Sequence, residues 1–507
     1  MLPLCLTRAY PCYSLPVGLE DHWEMTATML DQLDGTAQAE LVRRGDVSPL
    51  ELAERAMSRI ERFDPLVNAV PIRLFEEARL AAASADLAHG PFRGVPFLLK
   101  DVGTAFAGQP CYMGNRALHA VDYRSPRDHT LALRFRSAGL VVVGKSAVPE
   151  FGVIPYTQSS AFGSTRNPFD RALSVGGSSG GSCAAVAAGM VPVAHASDGG
   201  GSIRIPAAWC GVVGLKPSRG RVPSSAISIT RSDVEFVVAR SVRDVAGLLD
   251  AVHGNEPGDL YLVPEPARPF AAEPAVRPVR LRIGVLSTVE GMRMHRECVA
   301  ATESTARLLE TLGHGVEIAW PSALFELPAP ANPGLPLVGF RYLFRDLARM
   351  LGRPVQRDDV EPGLWSVANL PVPPVPAEEY IEHGERVQEW VARVVNWWAR
   401  GFDLLVTPTV CEPAVTIQRI TALAADPPAL GALAMEHCAL TLPFNLTGQP
   451  AISLPLHWTP EGHPVGVQLV AAMGREDLLL QVSSQLEAAC PWRDRYQQLD
   501  PVLVAAQ

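Results

Sequence analysis

Two glycine-rich segments that contain serine flank one short apolar stretch near the middle of the sequence. The first reads GGSSGGS over Gly176–Ser182, and the second reads SDGGGSIRIP over Ser197–Pro206. Between them, Cys183–Met190 is rich in alanine and predicts a tightly packed helix, and Val191–Ala194 predicts a strand. Gly/Ser runs are usually flexible connectors. Because the first segment leads straight into an apolar helix, we do not expect it to be a free linker.

Predicted strands and helices alternate along most of the chain. Ser48 and Pro49 mark a helix start, with Ser48 as the N-cap and Pro49 in the first helical position. Short apolar runs predict strands at 95–99, 140–143, 281–286, 403–406, 451–454 and 465–470. Helical periodicity predicts helices at 128–138, 242–252, 297–312 and 476–489. This alternation indicates an α/β fold with a helix-covered sheet.

Residues 321–378 interrupt the alternation. Eleven prolines crowd this segment, and bulky apolar side chains lie among them, namely Phe325, Phe340, Tyr342, Phe344 and Trp365. Long irregular segments are often surface excursions or lids over active sites. The segment is therefore interpreted either as a surface excursion or as a variable cap over the site.

The composition excludes several classes of protein. A net charge of −9 argues against a nucleic-acid binder, which usually carries a basic patch, and no run approaches the ~20 apolar residues of a membrane span. The nine cysteines include no C-x-x-C pair and the twelve histidines no H-E-x-x-H spacing, so we expect no metal and no cofactor. The glycine runs lack the Walker and G-x-G-x-x-G patterns. We expect a cytoplasmic protein with reduced cysteines.

The first residues differ from the rest of the chain. Residues 1–24 contain three prolines and no clean apolar region, which predicts a loose extension rather than a signal peptide. We expect residues 25–507 to form one large domain.

Three side chains match the requirements of amide hydrolysis, which needs a nucleophile, a base and donors for the oxyanion. Ser178 and Ser202 lie in the two glycine-rich segments, and Lys100 ends the apolar run VPFLLK. A single serine is usually a cap or turn residue, and a lysine at a strand end is usually solvated. Burial of Lys100, however, would lower its pKa, so that the neutral amine could accept the Ser202 proton through Ser178.

The segment Gly176–Ser218 resembles the signature of the amidase signature family, which consists of serine amidases with a Ser–cis-Ser–Lys triad. The spacing of 24 positions between the two serines and the Lys100-Asp101 step fit that signature. The resemblance extends over about 35–490 and includes PFNLTGQPAISLPL at Pro443–Leu456. It implies a single large α/β domain whose central mixed β-sheet is covered by helices on both faces.

The resemblance also implies a role for each matching residue. Ser202 corresponds to the nucleophile, Ser178 to the bridging serine after a cis Gly177–Ser178 peptide, and Lys100 to the base. The remaining positions are the oxyanion donors Gly199, Gly200 and Gly201 together with Ser202, a supporting hydroxyl at Ser197, and a structural ion pair of Asp198 and Arg204. Gly199 departs from the family, which more often has a residue with a side chain there.

The leading hypothesis is a hydrolase that acts through an acyl-enzyme on neutral, largely apolar carboxylic amides, linear, cyclic or aryl, and on carbamates or esters. Within the family, Ala37–Leu52 and Gly474–Glu487 are most similar to bacterial hydrolases of the 6-aminohexanoate cyclic dimer. The segment Pro149–Phe162 and the cap supply the candidate substrate contacts Phe151, Ile154, Tyr156 and Trp365.

Two other functions stay open. One is the glutaminase subunit of a tRNA-dependent amidotransferase, which must grip the charged α-groups of glutamine with paired partners. The other is a catalytically inactive amidase-like scaffold. The expected partner is a small-molecule amide or carbamate, not a nucleic acid or a membrane, and a homodimer is an expectation from the family.

Overall fold

Strands rich in apolar residues form the centre of the protein. The computed structural model describes residues 27–223, 232–497 and 499, so the extension predicted for residues 1–24 lies outside the described residues. The strands are β1 (Ile72–Arg73), β2 (Pro96–Lys100), β3 (Val141–Ser146), β4 (Gln158–Ser159), β5 (Gly163–Ser164), β6 (Val193–Asp198), β7 (Val213–Lys216), β8 (Val234–Ala239), β9 (Arg282–Val285), β10 (Gly315–Ile318), β11 (Leu404–Pro408), β12 (Ala451–Trp458) and β13 (Pro464–Ala471).

Eleven of the described strands form one mixed sheet, in the order β1-β3-β2-β6-β8-β7-β12-β13-β11-β9-β10. Strand β2 pairs in parallel with β3 and β6, whereas β8 pairs antiparallel with β6 and β7. Strands β8 and β13 are buried at every residue. Because successive side chains of a strand point to opposite faces, both faces of the sheet are covered there, and the α/β fold expected from the sequence is confirmed.

The helices pack against this sheet and against one another. They are α1 (Ala27–Gln32), α2 (Gly35–Arg44), α3 (Pro49–Val67), α4 (Phe75–Ala83), α5 (Arg116–Ala120), α6 (Thr130–Ser137), α7 (Gly180–Ala187), α8 (Arg204–Cys210), α9 (Val242–Val252), α10 (Arg296–Thr311), α11 (Val338–Leu351), α12 (Pro362–Ala368), α13 (Ala377–Val395), α14 (Ile417–Leu423), α15 (Pro427–Cys438), α16 (Leu442–Leu446), α17 (Glu476–Ala489) and α18 (Arg493–Gln497). The predicted start of α3 is confirmed, since Ser48 forms a capping box with Glu51.

The first glycine-rich segment contributes more to a helix than its composition indicates. Helix α7 begins at Gly180 rather than at Cys183, and all of its residues are buried. A Cβ atom on Gly180 would lie 2.2 Å from Thr157 Oγ1, and one on Gly181 would lie 2.3 Å from Ala147 N. These glycines are therefore required by close packing of the first helical turn, and only the residues before them form a loop.

The proline-rich residues 321–378 are not irregular throughout, and that expectation was wrong. They contain the whole of α11 and α12 and the start of α13. Pro362 occupies the first turn of α12, and Pro376 is the N-cap residue of α13. Proline is tolerated at these positions because the first N–H groups of a helix have no intrahelical acceptor. We call residues 321–378 the cap.

The described residues contain neither a membrane-spanning helix nor a candidate metal cluster. Among residues 27–223, 232–497 and 499, no helix combines the length and the apolar character needed to cross a bilayer. The same residues contain no group of three or more His, Cys, Asp or Glu side chains arranged to hold a metal ion.

Candidate active site

The ends of two neighbouring strands bring Lys100 and Ser197 together. Strand β2 runs parallel to β6, with Phe97 paired to Val193 and Leu98 to Ala194. Lys100 is the last residue of β2, and its side chain has no solvent exposure. The Lys100 Nζ atom is hydrogen-bonded to Ser197 Oγ at 2.8 Å and to Ser178 Oγ at 2.8 Å.

The surroundings of Lys100 favour a neutral amine. Burial lowers the pKa of Lys100 to about 7, although the negative charges of Glu235 and Asp198 act in the opposite direction. The hydrogen-bond partners of Nζ are both hydroxyl groups, which carry no charge to compensate the ammonium. A substantial fraction of Lys100 can therefore accept a proton near neutral pH.

Ser178 is held by close packing of the two glycines before it. The Gly177–Ser178 peptide bond is cis, as the family resemblance implies. A Cβ atom on Gly177 would lie 2.7 Å from Tyr156 N, and one on Gly176 would lie 3.1 Å from Trp209 Cε3. At Gly177 the neighbouring backbone leaves no room for a side chain, and at Gly176 the tight contact and a φ angle of +74° both favour glycine.

Ser202 lies in the turn between β6 and α8. Its backbone carbonyl accepts a hydrogen bond from Ser179 N at 3.2 Å, which ties the two glycine-rich segments together. The residue is partly exposed, whereas Lys100 and Ser178 are buried. Of these three residues, Ser202 is thus the one that a molecule from solvent can reach.

The carboxylate of Asp198 organises the turn before Ser202. It accepts hydrogen bonds from Gly201 N at 2.7 Å and from Ile203 N at 3.1 Å. Arg204 binds both of its oxygens, through Nε at 2.9 Å and Nη2 at 2.8 Å. Burial alone would raise the pKa of Asp198, but the Arg204 guanidinium outweighs burial and holds the pKa well below its usual range.

Gly201, one of the predicted oxyanion donors, already uses its N–H in a hydrogen bond within the turn. Its N–H already donates to Asp198, so this amide shapes the turn in the structure described. A Cβ atom on Gly201 would lie 2.3 Å from Thr441 Oγ1, and the φ angle of Gly201 is +135°. The Gly200 carbonyl accepts from Thr441 Oγ1 at 2.6 Å, which orients the preceding peptide.

Four supporting residues were not assigned a role from the sequence. Arg204 donates to Thr441 O at 3.0 Å, to Gln468 Oε1 at 2.7 Å and to Asn445 Oδ1 at 2.7 Å. Asn445 lies in the motif PFNLTGQP and Gln468 in GVQLVAA at Gly466–Ala472, two segments that resemble the family but gave neither residue a role. Glu235 is the fourth, and it lies opposite Ser197 in the antiparallel pair of β6 and β8.

The candidate substrate contacts divide between two apolar clusters. Phe151 and Trp365 belong to a cluster that contains cap residues, whereas Ile154 and Tyr156 pack in another around Trp209. Tyr156 is fully buried, and its hydroxyl is 2.8 Å from His437 Nδ1. Tyr156 therefore supports the loop before Ser178 from behind and presents no free face to solvent.

The loop after Glu150 links the cap to Ser178. Phe151 packs against cap residues, and a Cβ atom on the next residue, Gly152, would lie 3.1 Å from Ser178 Oγ. Glu150 Oε2 accepts a hydrogen bond from Glu361 N in the cap at 2.9 Å. The cap and the bridging serine are thus neighbours of the same short loop.

Residues 359–361 anchor the cap to the core through their backbone. Asn115 Nδ2 donates to Asp359 O at 2.7 Å, and Arg116 Nη2 donates to Val360 O at 3.3 Å. Asn115 Nδ2 is also 2.8 Å from Glu150 Oε1. All three cap residues are therefore bound by core side chains.

Known proteins resemble this chain over most of its length. The amidase family model matches residues 51–480. The 6-aminohexanoate-cyclic-dimer hydrolase of Pseudomonas sp. (strain NK87) is 42% identical over 481 residues, which cover 92% of this chain and 96% of that protein. A solved structure of 6-aminohexanoate cyclic dimer hydrolase with substrate has a TM-score of 0.85 at 40% identity, covering 92% of this chain and 99% of that one. A bacterial aryl acylamidase has a TM-score of 0.80 at 27% identity, covering 92% and 98%.

The matched region includes the segments that carry Lys100, Ser178 and Ser202. Both the sequence and the fold agree with the same group of enzymes, and the resemblance drawn from the glycine-rich segments is confirmed. The chain belongs to the amidase signature family and is an amidohydrolase.

Proposed function

We propose that the enzyme hydrolyses neutral, largely apolar carboxylic amides through an acyl-enzyme, with Ser202 as nucleophile, Ser178 as proton relay and Lys100 as base. The observation that carries this proposal is the buried Lys100 amine, which is hydrogen-bonded to Ser178 and has a pKa lowered to about 7. An amine that titrates near the working pH is well matched to general-base catalysis.

In the first half-reaction, Ser202 Oγ forms a bond to the amide carbonyl carbon. Its proton passes to Ser178 Oγ, and the Ser178 proton passes to the neutral Lys100 Nζ. The C–N bond then breaks, and the proton returns through Ser178 to the leaving nitrogen, which departs as a neutral amine. In the second half, water attacks the acyl ester by the same proton route. The carboxylic acid leaves, and Ser202 regains its proton.

The N–H groups of Gly199, Gly200 and Ser202 are proposed to stabilise the oxyanion. Gly201 is assigned to the support of this turn, because its N–H donates to Asp198. Hydrogen-bond donors fixed before the reaction cost no reorganisation in the transition state. The buried Asp198–Arg204 ion pair holds the turn that carries these donors in place.

The preference for uncharged substrates rests on the loop after Pro149. Glu150 is the one acidic residue of Pro149–Phe162, and both of its oxygens are engaged, by Asn115 and by Glu361 N. It is therefore not available to bind an α-ammonium group, as the glutaminase alternative would require. The apolar cluster of Phe151 and Trp365 suits an alkyl or aryl group.

The named relatives act on cyclic and aryl amides, and we extend both classes to this enzyme as proposed substrates. Carbamates and esters share the planar carbonyl and the tetrahedral intermediate, so the same oxyanion donors serve them. Carbamates are less electrophilic, and we expect slower acylation. A homodimer and a cytoplasmic location stay predictions.

The nucleophile is tested with Ser202→Ala and a remote control, Ser304→Ala on α10. We expect Ser202→Ala to lose on the order of 10³-fold or more in kcat and to resist labelling by a fluorophosphonate. The control should label and turn over normally. Turnover of Ser202→Ala near the wild-type rate would remove the assignment, and an unlabelled wild-type enzyme would favour an inactive scaffold.

The substrate class is tested separately. A neutral anilide, an aryl carbamate and glutamine are compared by kcat/KM with the wild-type enzyme. We expect the anilide to be best and glutamine to be worst. Glutamine as the best of the three would replace this proposal with the amidotransferase-subunit function.

A further inference from the structure

Four polar side chains form a hydrogen-bonded chain behind the two serine segments, and none has a part in the proposed chemistry. Tyr156 Oη is 2.8 Å from His437 Nδ1, and His437 Nε2 is 2.9 Å from Glu412 Oε1. The chain ends at Arg419, whose Nη1 binds Glu412 at 2.8 Å. The side chains of Tyr156 and His437 have no solvent exposure.

The hydrogen bond between His437 and Glu412 has a defined direction. Burial raises the pKa of Glu412, but His437 and Arg419 outweigh burial and hold the pKa below its usual value, so Glu412 is an acceptor. His437 Nε2 consequently carries a hydrogen. Burial raises the pKa of Tyr156 strongly, so its hydroxyl keeps its proton and remains hydrogen-bonded to His437 Nδ1.

One end of the chain faces the segment before Ser178. The Tyr156 ring stacks on Trp209 with centroids 6.4 Å apart and an angle of 18° between the planes. Tyr156 N lies 2.7 Å from the position of a Cβ atom on Gly177, and Trp209 Cε3 lies 3.1 Å from that of Gly176. The Tyr156 backbone and the Trp209 ring, together with the Pro155 and Pro206 backbone, therefore border the segment before Ser178.

His437, in the middle of this chain, lies next to the segment before Ser202. His437 precedes Cys438, whose Sγ lies 4.0 Å from the position of a Cβ atom on Gly200. The Cys438 carbonyl accepts from Thr441 N at 3.0 Å, and Thr441 Oγ1 donates to Gly200 O at 2.6 Å. The end of α15 thus contacts the turn that carries the proposed nucleophile.

We propose that His437 is a positioning residue for amide hydrolysis, which holds the Ser178 segment through Tyr156 in register with the Ser202 segment bound to the end of α15. The inference rests on the proposed roles of the two serines. Proton transfer from Ser202 to Ser178 requires a short, aligned contact, and a displacement of about 1 Å can cost 10²-fold in rate. A rigid link behind both segments limits such displacement.

The link is tested with Tyr156→Phe and with two replacements of His437. In His437→Asn the amide lies near the former Nδ1, where it can still bind Tyr156. In His437→Gln the amide lies near the former Nε2 and the bond to Tyr156 is lost. Tyr496→Phe is the matched control, because it also removes one hydroxyl hydrogen bond, of 2.6 Å to Gly211 O, outside both serine segments.

The readouts are kcat per active site titrated with a fluorophosphonate, KM, and the melting temperature. We expect Tyr156→Phe and His437→Gln to lower kcat about tenfold or more while KM changes less than about threefold. His437→Asn should restore most of kcat, and Tyr496→Phe should keep it. Tyr156→Phe removes a single oxygen atom and leaves the ring packing, so it preserves the fold even if a His437 variant does not.

Two outcomes separate this inference from the proposed function. If Tyr156→Phe keeps kcat per titrated site within twofold and only the melting temperature falls, the chain is merely structural and the inference is wrong. If Ser202→Ala is active, the proposed function fails first. An inactive Ser202→Ala with a normal Tyr156→Phe overturns the positioning role alone.

Discussion

Two buried cations lie beside the same turn, Lys100 and Arg204, and their surroundings differ in one respect. The Lys100 amine is bonded to two neutral hydroxyls. The Arg204 guanidinium binds both oxygens of Asp198 and three further acceptors, on Thr441, Asn445 and Gln468. Neither side chain has any solvent exposure.

This difference explains how one site can hold a permanently charged side chain, Arg204, next to a side chain that titrates near neutral pH, Lys100. A buried charge is costly unless it is paired and hydrogen-bonded. Arg204 is paired with Asp198 and with three further acceptors, and we propose a structural role for both residues. In the part of the chain that the structure describes, no carboxylate is hydrogen-bonded to Lys100, and burial lowers its pKa to about 7, which suits a base.

The largest expected effect comes from removing the titrating cation. Lys100→Met should lower kcat/KM about 10³-fold or more, because the Ser202 proton loses its acceptor. Lys100→Arg should be equally inactive, because a guanidinium stays protonated at the working pH. Steady-state kinetics on a neutral anilide check both variants, and activity of either within tenfold of wild type would contradict the assigned difference between the two cations.

Removing the carboxylate of Asp198, the partner of Arg204, should lower the free energy of unfolding. Asp198→Asn leaves the Arg204 guanidinium buried without its counter-charge, which costs about 3–5 kcal/mol in the free energy of unfolding. Urea denaturation measures this loss. The double variant Asp198→Asn with Arg204→Met should be more stable than Asp198→Asn alone. A loss below about 1 kcal/mol for the single variant would show that the pair is not structural.

A smaller effect is expected on the pH profile. The kcat/KM of the wild-type enzyme should fall as the pH drops below about 7, because Lys100 becomes protonated. Glu235 stabilises the protonated form, so Glu235→Gln should lower the Lys100 pKa and move the acid limb of the profile toward lower pH by roughly one unit. Glu317→Gln, on β10, is the control. An unmoved limb, or one displaced to higher pH, would show that Glu235 does not tune Lys100.

Local signals in the sequence predicted part of the fold well. Helices α9 and α17 have the predicted bounds, because strong helical periodicity defines both and Ser241 caps α9. Strand β6 extends to Asp198, beyond the predicted Ala194, because its second half pairs with β8. That pairing joins residues about forty positions apart, and no local pattern reports it.

The candidate site divides in the same way. Lys100, Ser178 and Ser202 could be identified from spacing and motif, and the structure places Lys100 against Ser178. Glu235, Thr441 and Gln468 could not be assigned, because their roles depend on strands and helices that meet only in the folded chain. The helices of the cap were missed because prolines were interpreted as breaks, whereas Pro362 and Pro376 stand where helices begin.

The anchoring of the cap has a consequence for how this enzyme can diverge. Asp359, Val360 and Glu361 are bound to Asn115, Arg116 and Glu150 through main-chain atoms of the cap. A main-chain atom is present whatever the side chain, so these three hydrogen bonds do not depend on which side chains the cap carries. The bond from Ser160 N to Glu361 Oε1, at 2.7 Å, does depend on one. We therefore expect the proposed substrate contacts of the cap to be able to change by mutation while these main-chain bonds to the core are kept.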